Sequence, residues 1–512
     1  MGDSVASELA VPIAARVPAA SPRVGERSPR FAMRTTWWVG FVVLAAAGFF
    51  ATNGLITSAA VLELPVLIML LWRPGEPPTM LFACWFQWLQ ATAAIFYTNH
   101  LGITLEEAFG SYALNMAAWL SMAAVLVLAI ATRCGFIGAQ KSEGDQIEAE
   151  ARQLDVNKIG PAYVVSLVLS IALTIAGAVL GPIRQPLLAF AALKWAFVFL
   201  LCYTVLTQRK GFGWLAFCIA VEFVLGFWGI YAGFKWVFFV LVIACLSSRR
   251  LMRGGRIALI TVIFVLLFIM GIVWNAIKTD YRSFLAEEEE EVPIERRFSK
   301  LSDLVESLNF ENIGDGLDAL IMRVSYVNFF ALTIENVPSR LPYENGELWK
   351  GAVVHALMPR VLFPDKAILD DSDRTRLYTG MNVAGAEQST SIGIGYVGES
   401  YIDFGPIGMF VPIFLLGLMY GVISRFFIKR TRYKLLGSSI ALSLLVFNAY
   451  EIETSNIKLF GGVVAATIGA IIFYKLCAPN LMQALRRGPP VSGVAHGPAK
   501  AGDIGAVSTG HS

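Results

Sequence analysis

The chain has 512 residues, of which 56% are hydrophobic and only 15% charged, with a net charge of +3. That is too apolar for a soluble domain of this size and leaves an integral membrane protein. Apolar stretches of about 20 residues, the length that crosses a bilayer core, occur near 35–52, 55–72, 79–98, 112–131, 161–181, 186–207, 212–230, 233–248, 256–277, 405–424, 436–450 and 458–476. The expected fold is therefore an all-α polytopic membrane protein of about twelve transmembrane helices, with one large extracytoplasmic loop that contains short helices.

Residues 1–34 are rich in Ala, Pro, Ser and Arg without helical periodicity and are expected to be a disordered cytoplasmic tail. The apolar stretch that follows is long and runs on to a second span, which suits an anchor rather than a cleaved signal. Orientation follows from basic residues, because Lys and Arg beside short loops stay in the cytoplasm. Arg23, Arg27, Arg30 and Arg34 precede the first span, and the later even connections carry Arg73, Arg133, Lys141, Arg209, Lys210 and "SSRRLMRGGR". "FFIKRTRYK" follows the tenth span, and Lys475, Arg486 and Arg487 follow the twelfth. Both termini, including a tail over 477–512, are expected on the cytoplasmic side. Between spans four and five, "KSEGDQIEAEARQLDVNK" reads as a solvated cytoplasmic piece of helix-forming composition.

Cys84, Cys202, Cys218 and Cys245 fall in spans, while Cys134 and Cys477 sit at cytoplasmic ends, so no structural disulfide is expected. Metal-ligand spacings such as CxxC or HExxH are absent from the sequence, and neither a metal nor a cofactor is expected. Ionisable groups inside spans are costly and point to function or to pairing. Glu63, Lys194 and Glu222 are the clear cases, with Lys235 nearer a helix end. Lys194 and Glu222 lie in consecutive spans and either pair or line a polar cavity.

Residues 278–404 separate spans nine and ten and are predicted to be exported. They hold twelve Lys or Arg against twenty-two Asp or Glu, which argues against nucleic acid as a partner. Leu301, Leu304, Val305 and Leu308 recur at helical spacing, and Asp315 is placed to cap a helix carrying Leu317 to Leu332 that ends before Pro338. A third helix is expected from Glu347 to Met358, stopped by Pro359. These helices are too short to cross a bilayer and are expected to lie on its outer surface, roofing a cavity.

Within this segment Arg323, Arg360 and Lys366 are candidate anion ligands, since a planar guanidinium fork matches two phosphate oxygens. Pro359 and Pro364 frame Arg360 and would hold it at low entropy cost. Glu399 is the candidate general base, with Asp403 and His355 as alternatives. Tyr401 places a further polar group at the membrane edge.

"PRVLFPDK", followed by "STSIGIGYVGESYIDFGPIGMFVPIFLLGLMYG", resembles the Wzy-type oligosaccharide repeat-unit polymerases, the O-antigen polymerase family. Pro359, Arg360, Pro364 and Lys366 match that family's Pro-Arg, aromatic-Pro and Lys. Gly398, Glu399, Tyr401, Phe404, Gly405 and Gly408 match its Gly-Glu-x-Tyr-x-x-Phe-Gly-x-x-Gly lead-in to a membrane helix. The similarity covers residues 317–421. Some members carry glycine eleven residues after the arginine, where this chain has Asp371.

The resemblance implies a metal-independent glycosyltransferase at the outer face of a bacterial inner membrane. Its substrate would be an undecaprenyl-diphosphate-linked oligosaccharide, with Arg323, Arg360 and Lys366 holding the diphosphate and Glu399 deprotonating the acceptor. Membrane lipids, a chain-length regulator and a flippase would be its partners. A flippase of lipid-linked sugars using Lys194, Glu63 and Glu222, and a glycan ligase, are the alternative functions.

Overall fold

The computed structural model describes residues 35–137, 142–228, 233–248, 255–287, 293–308, 310–358, 363, 366, 370–385 and 391–487. In chain order the helices are α1 (Thr35–Phe49), α2 (Gly54–Leu71), α3 (Thr79–Leu101), α4 (Leu105–Phe109), α5 (Leu114–Gly135), α6 (Gly144–Gln153) and α7 (Val156–Val179). They continue with α8 (Arg184–Ala191), α9 (Lys194–Gln208), α10 (Phe212–Trp228), α11 (Lys235–Ser247), α12 (Gly255–Glu287), α13 (Ile294–Glu306) and α14 (Phe310–Val324). The last are α15 (Val327–Asn336), α16 (Glu347–Leu357), α17 (Asp371–Thr379), α18 (Gly395–Gly408), α19 (Phe410–Arg425), α20 (Lys434–Ala449) and α21 (Asn456–Leu485). Among the described residues the only β pairing is an isolated bridge between Leu154 and Arg486.

Among the described residues every stretch predicted to span is largely helical, because a long apolar run has nowhere else to satisfy its backbone in lipid. Eight described helices, counting α8 and α9 as one, are long and apolar enough to cross a membrane. Four others, Trp37–Phe49, Phe212–Gly226, Lys235–Ser247 and Lys434–Ala449, are shorter. The 13 residues of α11 rise only about 20 Å against a hydrocarbon core of about 30 Å.

The bundle is tightest where α5 meets α19. A Cβ on Gly421 would fall 2.3 Å from the Thr132 carbonyl, and one on Gly417 2.5 Å from that of Leu128. Glycines four apart thus let two backbones touch, as in membrane helix pairs generally. At the other end of α19 a π-helical turn, Phe426–Arg430, swings Lys429 inward. The polar segment expected to be solvated is α6, which docks beneath the bundle. Ile147 and Ala151 are buried, and the Glu150 carboxylate accepts the Lys434 and Leu435 N–H groups that open α20.

The segment expected as a surface roof departs from that reading. The single helix predicted to start at Asp315 begins at Phe310 and breaks into α14 and α15, bent by 52°. Tyr326 leaves the helix there to donate its backbone N–H to the Gln90 carbonyl of α3, at 3.1 Å. Val327, Phe330 and Ala331 of α15 and Tyr396, Val397 and Ile402 of α18 are fully enclosed. Both α15 and the first turns of α18 therefore pack inside the bundle. The predicted tenth span is divided too, since α18 kinks at Gly405 (φ 70°) and the crossing helix starts at Phe410.

Candidate functional site

Two glutamines in the middle of α3 organise the site. Gln87 accepts the Tyr396 hydroxyl at 2.7 Å and donates to the Ala449 carbonyl at 2.7 Å. Gln90 accepts the Ile452 N–H through its side chain at 3.0 Å and the Tyr326 N–H through its backbone. The α20–α21 turn, the start of α18 and the α14–α15 break are thereby drawn to one place. Gly395 (φ 86°) has no room for a side chain, because a Cβ would sit 2.3 Å from the Ile452 carbonyl. The Tyr326 hydroxyl closes the arrangement by accepting the Gly398 N–H at 2.8 Å.

One turn further along α18 lies Glu399, 1% exposed. Its Oε2 accepts the Asn456 N–H at the start of α21, at 2.9 Å, and its Oε1 lies 3.4 Å from Arg374 Nη1 on α17. Burial lifts this carboxyl from its ordinary 4.5 to about 7, against the pull of Arg374 and the Asn456 N–H and with added repulsion from Asp371. A carboxylate poised near neutrality is suited to take a proton from a hydroxyl. Ion pairs flank it, with Lys458 2.7 Å from Asp371, Arg323 2.7 Å from Glu453 and Lys235 3.7 Å from Glu451.

The other predicted site residues divide. Asp403 accepts the Leu348 and Trp349 N–H groups at 3.0 and 2.8 Å and so fixes the start of α16. Burial raises its carboxyl while the N–H groups of Trp349, Leu348 and Gly346 oppose the shift. Tyr401 is buried and donates to the Val337 carbonyl at 3.1 Å, which makes it a packing group. Lys366 donates to the His355 carbonyl and, at 2.8 Å, to that of Met358, sitting on the negative end of α16. His355 is half-buried on that helix. Arg323 holds both oxygens of Glu453, with its guanidinium half exposed. Arg360, with Pro359 and Pro364, lies outside the described residues.

Inside the bundle Lys194 meets Glu222 at 2.8 Å, and the Tyr163 hydroxyl donates to the same carboxylate at 3.1 Å, so of the two readings of this pair the structure has the ion pair. Glu63 is buried on α2, and neither of its oxygens has a hydrogen-bond partner.

Sequence reasoning missed Arg374, Asp371, Lys458, Glu451 and Glu453. A usable signal was present in "YEIETSN", residues 450–456, where two carboxylates sit in a short connection between apolar helices. Gln87 and Gln90, three apart in an apolar helix, were another.

The long apolar helices are those of a multi-pass membrane protein, built here around a buried carboxylate with an arginine beside it. The chain belongs to the family described as a domain of unknown function (DUF8712), which matches residues 61–453 and so takes in Gln87, Gln90, Arg323, Arg374 and Glu399. No curated protein and no solved structure matches it.

Proposed function

We propose that the chain is a polysaccharide polymerase that joins undecaprenyl-diphosphate-linked oligosaccharide repeat units at the periplasmic face of a bacterial inner membrane. The observation that carries this reading is Glu399, enclosed, one hydrogen bond from a helix N-terminus, and held near neutrality beside Arg374. In the proposed topology twelve helices cross, the termini are cytoplasmic, and residues 278–404 belong to the periplasmic side.

The acceptor hydroxyl oxygen attacks the anomeric carbon of the donor as its proton passes to Glu399. The bond from that carbon to the diphosphate oxygen breaks, and the lipid diphosphate leaves with the electron pair. Cations stabilise the charge that develops there. Arg323, Arg360 and Lys366 take that role, Arg323 exchanging Glu453 and Lys366 exchanging helix carbonyls for phosphate oxygens. Asp403 holds α16 in place.

A flippase reading draws on Glu63, a buried carboxyl without a partner. The two readings separate in one assay, in which lipid-linked saccharides are incubated with the purified protein in detergent and glycan masses are read. A ladder spaced by one repeat unit, lost in Glu399→Gln with the protein still inserted, supports the polymerase. Unchanged masses with bound substrate overturn it. Transfer to a different acceptor identifies a ligase.

A further inference from the structure

The start of α3 borders a small cleft about 12 Å along the helix from Gln87. It is framed by the α2–α3 turn, the last turn of α5, the π-helical turn and α20, and the proposed polymerisation does not use it. In the proposed topology it faces the cytoplasm.

Thr79 is the first residue of the 23-residue α3, and Pro78 before it offers no side-chain cap. The first N–H groups of a helix have no partner within it and carry the positive end of its dipole. Thr79 and Met80, which carry two of these groups, line the cleft. Thr79 is 5% exposed, and its hydroxyl has no hydrogen-bond partner.

Two arginines share the wall. Arg73 lies 4.7 Å over the Phe136 ring and 3.3 Å from Glu76. Arg133 forms no ion pair among the described residues, although it is near enough to Arg73 to repel it. Glu76 brings a negative charge to the wall, but Lys429 at 2.8 Å joins Arg73 in compensating it, and Lys429 is shared with Glu143 at 3.5 Å. Arg73, Arg133 and Lys429 thus exceed Glu76 and Glu143 by one positive charge. Phe136 and Ile428 supply apolar surface beside these donors.

We propose that this cleft binds a phosphate group, as a phospholipid headgroup or as free phosphate, between the N-terminus of α3, the Thr79 hydroxyl and the guanidinium groups of Arg73 and Arg133. Helix N–H groups, a hydroxyl and forked guanidinium donors together match a tetrahedral oxyanion. Basic pockets between membrane helices on the cytoplasmic side take anionic headgroups for the same reason.

The test titrates the full-length protein in detergent with a short-chain phosphatidylglycerol and, separately, with inorganic phosphate at constant ionic strength, reading melting temperature. Saturable stabilisation is expected, with apparent Kd weakened about tenfold in Thr79→Val and in Arg133→Gln, the loss of one charge-assisted bond, and unchanged in Arg152→Gln on α6. A response to the lipid alone assigns the headgroup, and an equal response to both probes assigns the phosphate itself. Equal Kd in wild type and both variants, or no saturable stabilisation by either probe, overturns the proposal. Helix content and the ligand-free melting temperature check that each variant folds. Should Arg133→Gln fail that check, Thr79→Val, nearly isosteric, decides alone, with Thr79→Ser expected to restore binding.

Discussion

Glu399 and Glu76 are both buried carboxylates, 1% and 3% exposed, yet they are compensated very differently. Glu76 has Lys429 at 2.8 Å and Arg73 at 3.3 Å, and it accepts the Glu143 N–H as well. Glu399 has a single cation at 3.4 Å and one backbone N–H. A buried carboxylate held between two cations acts as a clamp, since removing a partner leaves the other stranded. An undercompensated one stays close to releasing or taking a proton. The α2–α3 turn is thus built to hold, and the α18 site is the one the proposed function assigns to reaction.

The largest effect that tests this difference is on turnover. Glu399→Gln keeps an acceptor for the Asn456 N–H but removes the base, and a positioned base contributes about 10²–10⁴-fold. Polymer extension, measured as glycan mass ladders, is expected to fall by that factor with membrane insertion unchanged. Next comes Lys429→Met at the α2–α3 turn, which strips Glu76 of its nearer cation. Breaking a buried pair costs about 3–5 kcal/mol. The melting temperature in detergent is expected to drop markedly, while surviving protein keeps its specific activity. A Lys429→Met protein that melts normally but loses extension would reverse the assignment of clamp and reactive group.

How far these two regions were legible beforehand differs for physical reasons. The apolar helices were readable because twenty apolar residues in a row add up to one strong, local signal. Glu399 stood out as one of two carboxylates, with Asp403, in a glycine-rich lead-in to a helix. Its partners did not, because Arg374 is 25 positions away and Asn456 57, and the Gln87–Tyr396 bond joins residues 309 apart. The insertion of α15 and α18 was hidden for a related reason. A short helix with one apolar face reads the same whether that face meets lipid or protein. Only the Gln87 and Gln90 contacts decide it, and these are long-range. Lys366 shows the converse, since a cation two residues past Pro364 is visible in the sequence while its donation to the carbonyls ending α16 is not.

The pH dependence of stability offers a finer measure. Folding raises the Glu399 carboxyl from 4.5 to about 7, so between those values the folded chain keeps a proton that the unfolded chain has released. Stability from this group is full below pH 4.5 and is lost as pH climbs through 7, about 3 kcal/mol in all. The proposed polymerisation needs the deprotonated form and is expected to rise as pH climbs through 7. Glu399→Gln is expected to flatten that part of the stability profile, read as melting temperature against pH. An unaltered slope would mean that Glu399 is already ionised in the folded chain.

The smallest effect isolates Arg374. Its guanidinium is the largest influence holding the Glu399 carboxyl down against burial, so Arg374→Met leaves burial with less opposition and moves the carboxyl further up. The midpoint of activity against pH is then expected to shift upward by about one unit, costing about fivefold at neutral pH and little at pH 9. That recovery at high pH separates a charge effect from a structural one, because a misplaced α17 would depress activity at every pH. An unmoved midpoint would mean that the Asn456 N–H, rather than the arginine, sets the proton affinity of Glu399, and that the positive end of α21 is the electrostatic core of the site.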